Sequence, residues 1–314
     1  MFLLAMEFFR YLRSPSALTK EPHLHMPANN LSRRTYVNAQ RGSYPARVVE
    51  KVQIMVEASY VGAEWRIPPM HGFLETAFII PIIVYFFIFE AIALCIRSST
   101  WTNHPSFERY RLHNLSVSLV HSTITGGSAL TFMLINPHIM FGDTMHWYET
   151  WAAQLPLFSM GYFCHDVFDI LSHERSRYAF EVLVHHAVIF SVFSVGMLAH
   201  KFLPYAYWAL LVEINSVFLH ARSIMEISLT YVAHRLIYRV VRILSIATFV
   251  VFRFGILTWM LYYIIMNRRH FHEFYMYSGA FADIFFLIFS AILFSRILAE
   301  DGFFGERIRR KTSL

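Results

Sequence analysis

The sequence predicts an all-α, multi-pass membrane protein, in which a bundle of about seven transmembrane helices follows an irregular N-terminal tail. Only 15% of the 314 residues are charged, whereas soluble globular domains carry about 25%. Hydrophobic residues make up 56% of the chain. They are concentrated in stretches of roughly 20 residues, the length that a helix needs to cross the hydrocarbon core of a bilayer. These three observations favour a membrane bundle over any soluble fold.

Seven stretches meet this length, and they divide the chain into four parts. The expected parts are a polar, proline-rich tail (1–72), a first span with a basic loop (73–111), a six-span region (112–301) and a basic tail (302–314). A short surface helix around Pro45–Ser59 is the one element expected in the first tail. The predicted spans are Phe73–Ile96, Leu115–Leu134, Trp151–Leu171, Tyr178–Ala199, Phe202–Met225, Ile243–Met266 and Met276–Leu298.

Loop charge predicts the orientation, because basic loops stay in the cytosol. Arginines follow the first, third, fifth and seventh spans, so the C-terminus is expected in the cytosol and the N-terminal tail on the opposite side. The pair Arg268 and Arg269 departs from this pattern. The sequon at Asn30 would then be translocated and open to glycosylation, whereas the one at Asn114 would not. The net charge of +6 sits in these loops, which argues against a nucleic-acid partner.

Ionisable residues inside spans are expensive and usually face a bundle interior or a wet cavity. By helical rise, Glu213 lies at the midpoint of the fifth span, and His185 and His186 lie roughly 4–5 Å to its cytosolic side. These three are the candidate catalytic residues. Most of the other ionisable residues within the spans lie in the cytosolic half of the membrane, which predicts a lipid or acyl-chain cavity open to the cytosol. Its expected lining is His121, His165, Asp166, Asp169, Asn215 and His220. No metal site is expected.

Structural interpretations stay open for several of these groups. Adjacent histidines point about 100° apart on a helix, so at most one of His185 and His186 is expected to carry chemistry. His121 and His165 could each hydrogen-bond a neighbouring helix, and Asp166 and Asp169 could pair with interfacial arginines. The arginines expected to pair with these two aspartates are Arg175 and Arg177. Arg253 and Asp283 are expected to form a structural pair. An interfacial aromatic belt is expected at Tyr205, Tyr207 and Trp208.

Several of these segments together resemble the TLC-domain family, the membrane fold shared by ceramide synthases and lipid-regulating proteins. The resemblance runs from about Leu112 to Asp301 and is carried by YFCHDVFDIL, VLVHHAVIF, LLVEINSVFLH and FSRILAEDG. The sequence is similar above all to one branch of TLC domain-containing proteins. That branch regulates phospholipid composition and membrane fluidity, limits incorporation of polyunsaturated acyl chains and lies at the plasma membrane. In ceramide synthases, paired histidines and two acids serve acyl transfer. Here the second acid is replaced by Ser216.

Two functions follow as hypotheses. The protein could regulate membrane phospholipid acyl composition through a cavity that binds lipids or acyl chains. It could instead be an acyltransferase that uses a histidine with Glu213 and takes acyl-CoA as substrate. No cofactor is otherwise implied. A transporter is a weaker third interpretation, because no inverted repeat or Gly/Pro-broken helix pair is visible. The plasma membrane is the favoured location and the endoplasmic reticulum is the alternative.

Overall fold

A computed structural model describes residues 72, 74–142, 144–174 and 176–302 of the chain. The predicted surface helix around Pro45–Ser59, the sequon at Asn30, the arginine at position 175 and the basic C-terminal tail therefore lie outside the described residues. Between these limits the secondary structure is helical, and the described ranges contain no β-strand. The prediction of an all-α bundle is confirmed.

The helices follow one another with short connections, and their bounds define the labels used below. In chain order they are α1 (Thr76–Ser99), α2 (Ser106–Ile135), α3 (Pro137–Gly142), α4 (Gln154–His173), α5 (Arg177–Ala199), α6 (Leu203–Leu211), α7 (Glu213–Ile227), α8 (Thr230–Ala233), α9 (Arg235–Thr248), α10 (Ile256–Met266) and α11 (Glu273–Glu300). A π-helical segment, Phe249–Gly255, joins α9 to α10 without a break.

Each predicted span corresponds to a helix or to a pair of consecutive helices, with ends that differ by a few residues. Five helical segments are long and apolar enough to cross a membrane: α1, α2, residues 179–199 of α5, the continuous α9–α10 unit, and α11. The predicted third span (α4) and fifth span (α6–α7) are not among them. Helices α4 and α6 lie inside the bundle, since 11 of the 20 residues of α4 and seven of the nine of α6 are buried. In α7 only three of the 15 residues are buried. The count of seven spans is therefore approximate.

Two glycines allow the closest helix contacts. A Cβ atom added to Gly161 in α4 would lie 2.5 Å from the Cβ atom of Tyr85 in α1. A Cβ atom added to Gly126 in α2 would lie 2.9 Å from the backbone nitrogen of Ile214 in α7. Small residues permit such backbone approach in membrane bundles, where packing rather than the hydrophobic effect holds helices together. Gly126 thus fixes how deeply the start of α7 sits against α2.

A tight turn between α5 and α6 places an aromatic ring at one end of the bundle. His200 and Phe202 both adopt left-handed backbone conformations, with φ of 52° and 60°, which non-glycine residues rarely do. The amide of Lys201 closes α5 by donating to the Gly196 carbonyl at 3.2 Å. The Phe202 ring then stacks on Phe271, with ring centroids 5.7 Å apart. The turn thus joins the α5–α6 connection to the segment before α11.

The expected interfacial aromatic belt is not formed, because its members face inward. Tyr207 and Trp208 are 3% and 2% exposed. The Tyr207 hydroxyl donates to the Ala152 carbonyl at 2.9 Å, and the Trp208 indole nitrogen donates to the Met140 carbonyl at 3.1 Å. Buried Tyr and Trp need such partners. The three aromatic residues sit near a helix end in the sequence, but their side of the helix faces the core.

Candidate functional site

An elongated cavity runs inside the bundle between α5, α6, α10 and α11. Its lining is mostly apolar and includes Val192, Phe193, Ala209, Leu257 and Met260. Lining residues extend from His185 to Met197 on α5 and from Tyr275 to Ser290 on α11. Twelve residues of helix correspond to about 18 Å, more than half of the ~30 Å hydrocarbon core. The cavity is therefore long enough to hold a substantial part of an extended hydrocarbon chain.

Ionisable side chains meet at one end of this cavity, and we call His185, Glu213 and Arg253 the polar end. The opposite end is lined by aromatic residues, among them Phe202 and Phe271. On the orientation that the loop charges predict, these rings lie toward the non-cytosolic side and the polar end is the one nearer the cytosol. The opening of the cavity toward the cytosol stays a prediction.

Glu213 begins α7, directly after the interruption at Val212 that separates α7 from α6. The Ser122 hydroxyl of α2 donates to its Oε2 atom at 2.7 Å. Gly126, one turn further along α2, lies against the backbone of the same residue, since its added Cβ would be 3.1 Å from the Glu213 carbonyl carbon. Helix α2 therefore positions Glu213 through one hydroxyl and one missing side chain.

Arg253 comes from the π-helical segment and is 8% exposed. Its Nε atom donates to Asn215 Oδ1 at 2.8 Å and its Nη2 atom donates to Ser216 Oγ at 3.1 Å. The guanidinium also lies over the Phe249 ring, 5.3 Å from the centroid. These bonds hold a cation beside Glu213. The expected pair between Arg253 and Asp283 is wrong, because Arg253 bonds the two residues of α7 instead.

Asp283 has a different partner halfway along the cavity. Tyr205, from the first turn of α6, donates a hydrogen bond from its hydroxyl to Asp283 Oδ2. Both residues line the cavity, and Asp283 is 2% exposed. Tyr205 is thus an interior residue rather than a member of an interfacial belt. The pair places a second polar group within the otherwise apolar lining.

The two adjacent histidines face different parts of the bundle. His185 lines the cavity, and its buried Nδ1 atom has no hydrogen-bond partner among the described residues. Its ring lies against Phe286, with centroids 5.0 Å apart. His186 stacks on Phe163 at 4.9 Å, and its Nδ1 atom lies 3.3 Å from Asp166 Oδ2 at an angle that does not make a hydrogen bond. Only the first histidine can reach a molecule in the cavity.

A separate group of polar residues is packed among α1, α2 and α4. We call it the packed polar cluster: Arg97, Asn114, Asp166, Asp169 and His173. Arg97 Nη2 donates to Asp169 at 2.6 Å, and the Asn114 amide donates to Asp166 at 2.7 Å and to Asp169 at 3.2 Å. His173 Nδ1 lies 3.4 Å from the carboxylate of Asp169. The expected pairing with a cation is formed for Asp169, where Arg97 supplies the cation, whereas Asp166 accepts from the neutral amide of Asn114.

The six residues expected to line the cavity do not line it. They are His121, His165, Asp166, Asp169, Asn215 and His220, and the cavity wall contains none of them. His121 hydrogen-bonds Ser159 at 3.2 Å and stacks on Tyr162. Asn215 accepts a hydrogen bond from Arg253 without reaching the cavity, and His220 is half-buried further along α7. Polar residues at one depth can face different directions, and these face neighbouring helices.

His165 has a partner that the sequence reasoning missed. Glu90, in the apolar run FFIFEAIAL of α1, lies 3.0 Å from His165 Nδ1. An acid near the middle of a span was the available signal, since such residues are rare there. Arg222 was missed as well: it is 5% exposed and makes two hydrogen bonds to Asp301, at 3.0 and 3.1 Å. Neither residue belongs to the cavity.

Two further observations concern bound groups. Within the described ranges, no three His, Cys, Asp or Glu side chains are arranged to hold a metal ion. Both cysteines, Cys95 and Cys164, are free thiols. The polar end itself contributes an imidazole, a carboxylate and a guanidinium.

A comparison with known protein families covers most of the helices described above. The TLC domain model matches residues 111–299, more than half of the chain. The chain belongs to the TLC domain family. The match covers α2 through α11 and includes every helix that lines the cavity. Helix α1 lies before the TLC domain, although its Arg97 and Glu90 bond residues of α4.

Curated relatives agree with this assignment. The chain is 31% identical over 192 residues to TLC domain-containing protein 2 of Danio rerio, which covers 61% of this chain and 77% of the relative. It is 31% identical to TLC domain-containing protein 2 of Homo sapiens, over 62% of this chain and 72% of the relative. TLC domain-containing protein 1 of Homo sapiens is 30% identical, with shares of 64% and 79%. No solved structure gives a significant match.

Proposed function

We propose that this TLC domain protein regulates the fatty-acyl composition of membrane phospholipids, and thereby membrane fluidity, by binding an acyl chain in the cavity. The observation that carries the proposal is the cavity itself: an apolar channel of about 18 Å that ends at His185, Glu213 and Arg253. Its apolar wall suits a hydrocarbon chain. Its polar end suits the ester or carboxyl group at the head of that chain.

The shape of the cavity supports selection among acyl chains. Helices α5, α6, α10 and α11 bound it, and bulky residues such as Phe193, Met260 and Phe286 narrow the space between them. Interiors packed in this way respond to small changes in the volume and shape of what they hold. We infer that chains with several double bonds fit differently from saturated chains, and that the protein limits the incorporation of polyunsaturated chains. We place this activity at the plasma membrane.

Lipidomics in cells that lack the protein tests the proposal. Wild type is expected to restore the phospholipid acyl profile, whereas Ala209→Phe is expected to fail, because the new ring would occupy the cavity that Ala209 lines. The matched control is Ala187→Phe, since Ala187 is exposed on the outer side of α5. Equal rescue by both variants, at equal expression, would contradict a role for the cavity.

An acyltransferase is the second candidate, and the unpartnered His185 Nδ1 atom at the cavity end favours it. In such a reaction His185 would take the proton of an incoming hydroxyl or amine that attacks a thioester, and CoA would leave as the thiol. Glu213 would orient or balance the imidazolium. Two variants separate the hypotheses: His185→Ala and Glu213→Gln should abolish rescue if the protein is an enzyme. They should rescue while Ala209→Phe fails if the cavity only binds lipid.

A further inference from the structure

The sixth span is longer than a membrane requires. The continuous helical unit Arg235–Met266 has 32 residues, which corresponds to about 48 Å of helix. The hydrocarbon core is about 30 Å thick, so roughly 12 residues extend beyond it if the helix is not tilted. We expect part of this excess at the N-terminal end of the unit. Helix α9 would then lie at the boundary between the acyl layer and the headgroups.

One side of α9 is basic. Arg235, Arg239 and Arg242 follow one another at spacings of four and three residues, which places them on one face of a helix. The side chain of Arg242 is 43% exposed and lies 3.8 Å from Asp301. Arg235 and Arg239 are exposed, and neither has an acidic partner in the described part of the chain. Two unneutralised guanidinium groups therefore point away from the bundle.

The neighbouring side of the same helix is apolar and equally open. Leu236, Ile237, Val240 and Ile243 are 73%, 56%, 48% and 58% exposed. In water, each would leave a large hydrocarbon side chain unburied, which costs on the order of 1.5–3 kcal/mol relative to burial. In the outermost acyl layer of a membrane that cost vanishes. Membrane-surface helices combine these two faces in the same way.

The third side anchors the helix to the bundle. The Tyr238 hydroxyl donates to Glu226 of α7 at 2.6 Å. Glu226 also accepts from Arg222 at 2.9 Å, and Arg222 bonds Asp301 at the end of α11. Ser245 is fully buried about two turns further along. This chain of bonds fixes the rotation of α9, so its basic and apolar sides present a defined surface.

We propose that this surface, formed by Arg235, Arg239 and the exposed apolar residues of α9, is a binding site for anionic phospholipid headgroups. The guanidinium groups bind the phosphate, and the four apolar side chains rest in the adjoining acyl layer. Arginine binds phosphate oxygens in a bidentate manner, and a basic residue near an anionic membrane surface contributes about 1 kcal/mol. The charge pattern assigns this end of the helix to the cytosolic leaflet. The inference does not depend on the function of the cavity.

Binding of a short-chain lipid to the full chain in detergent tests the proposal. Native mass spectrometry would compare dioctanoyl phosphatidylserine with dioctanoyl phosphatidylcholine, as the ratio of their dissociation constants. Wild type is expected to prefer the anionic lipid. Arg235→Gln with Arg239→Gln should lower that preference by about fivefold for each arginine removed, and raised salt should lower the wild-type preference further. Arg235→Lys with Arg239→Lys should keep most of it.

A second pair of arginines provides the matched control. Arg268 and Arg269 are exposed at the opposite end of the same helical unit, so Arg268→Gln with Arg269→Gln removes the same charge elsewhere. This variant should keep the preference. An unchanged ratio in the α9 variant, or equal losses in both variants, would overturn the site. Displacement of the lipid by an equal concentration of inorganic phosphate would show a free-phosphate site instead.

Discussion

The packed polar cluster and the polar end of the cavity are built from the same kinds of residues, but they differ in how completely those residues are satisfied. In the cluster, Asp169 is met by Arg97, Asn114 and His173. At the polar end, the Glu213 carboxylate accepts a hydrogen bond from Ser122, and the Nδ1 atom of His185 has no hydrogen-bond partner among the described residues. The polar groups of the cluster bond one another. At the polar end, a hydrogen-bonding atom that faces the cavity remains without a protein partner.

The difference shows which buried polar groups hold the fold and which are available to a ligand. Buried polar groups are normally paired within the protein, and an exception calls for a specific explanation. The cluster follows the rule and ties α1 and α2 to α4. The polar end departs from it at the histidine that lines an apolar channel. Substitutions in the two regions should therefore separate stability from activity.

The largest effect is expected from Asp169→Leu in the packed polar cluster. Removing this carboxylate leaves Arg97 without its ion pair and Asn114 with one partner fewer, and breaking a buried pair costs about 3–5 kcal/mol. Because the Arg97 side chain is 37% exposed, water compensates in part, and a loss near 3 kcal/mol is expected. Thermal unfolding of the purified protein in detergent would measure it.

The matched control removes one negative charge from the other region. Glu213→Gln removes the negative charge beside the buried Arg253, but it keeps an oxygen that accepts from Ser122, and Arg253 keeps its hydrogen bonds to Asn215 and Ser216. The loss in stability should therefore be smaller than that of Asp169→Leu, at about 1–2 kcal/mol. Similar losses for the two variants would show that the polar end is as structural as the cluster.

An intermediate effect is expected where the polar end is positioned by packing. Gly126→Ala places a Cβ atom 2.9 Å from the Ile214 nitrogen, so α2 and the start of α7 must separate. Overpacking of this kind costs about 1–3 kcal/mol, and the displacement of Glu213 should also lower rescue in the lipidomic assay. Gly127→Ala is the control, because no atom lies within 4 Å of its added Cβ. It should be neutral or slightly stabilising, since alanine favours a helix over glycine. Equal effects at both positions would contradict this role of Gly126.

The smallest effect separates the two histidines. His186→Ala removes the stack on Phe163 and should lower stability by about 1 kcal/mol. His185→Ala removes ring contacts with Phe286 and Phe289, but the His185 side chain lines the cavity and is only partly buried, so its stability should change by less than that. If the enzyme hypothesis holds, activity should follow the reverse order, with the greater loss in His185→Ala. Paired measurements of melting temperature and lipidomic rescue test both orders.

Much of the fold was predictable because apolar stretches of fixed length have few alternatives in a bilayer. Helix positions such as α1 and α11 follow from composition alone. The third and fifth spans, α4 and α6–α7, were also located, but composition did not reveal that α4 and α6 occupy the interior. Burial depends on which neighbours surround a helix, and no single stretch of sequence contains that information.

The depth of the site residues in the membrane was predictable from the sequence, but the direction in which their side chains point was not. The depth estimate placed Glu213 and His185 near each other, and the structure brings both to one cavity. The same estimate grouped them with Asp166 and His121, which face other helices. Depth follows from counting residues, whereas direction depends on how each helix is rotated against its neighbours. That rotation is set by contacts such as the one between Gly126 and Ile214.

The π-helical segment Phe249–Gly255 has a consequence for how the sixth span can change. Its i→i+5 bonding accommodates one more residue than regular helix does, and one residue corresponds to a rotation of about 100°. The side chains before the segment, such as Tyr238 and Arg239, therefore point in directions rotated by about 100° from those that a regular helix would give relative to Arg253. Deleting a single residue within this segment would remove that rotation. One of the two contacts, with Glu226 or with Asn215, would then be lost, so the headgroup end and the cavity end of this helix cannot be adjusted independently.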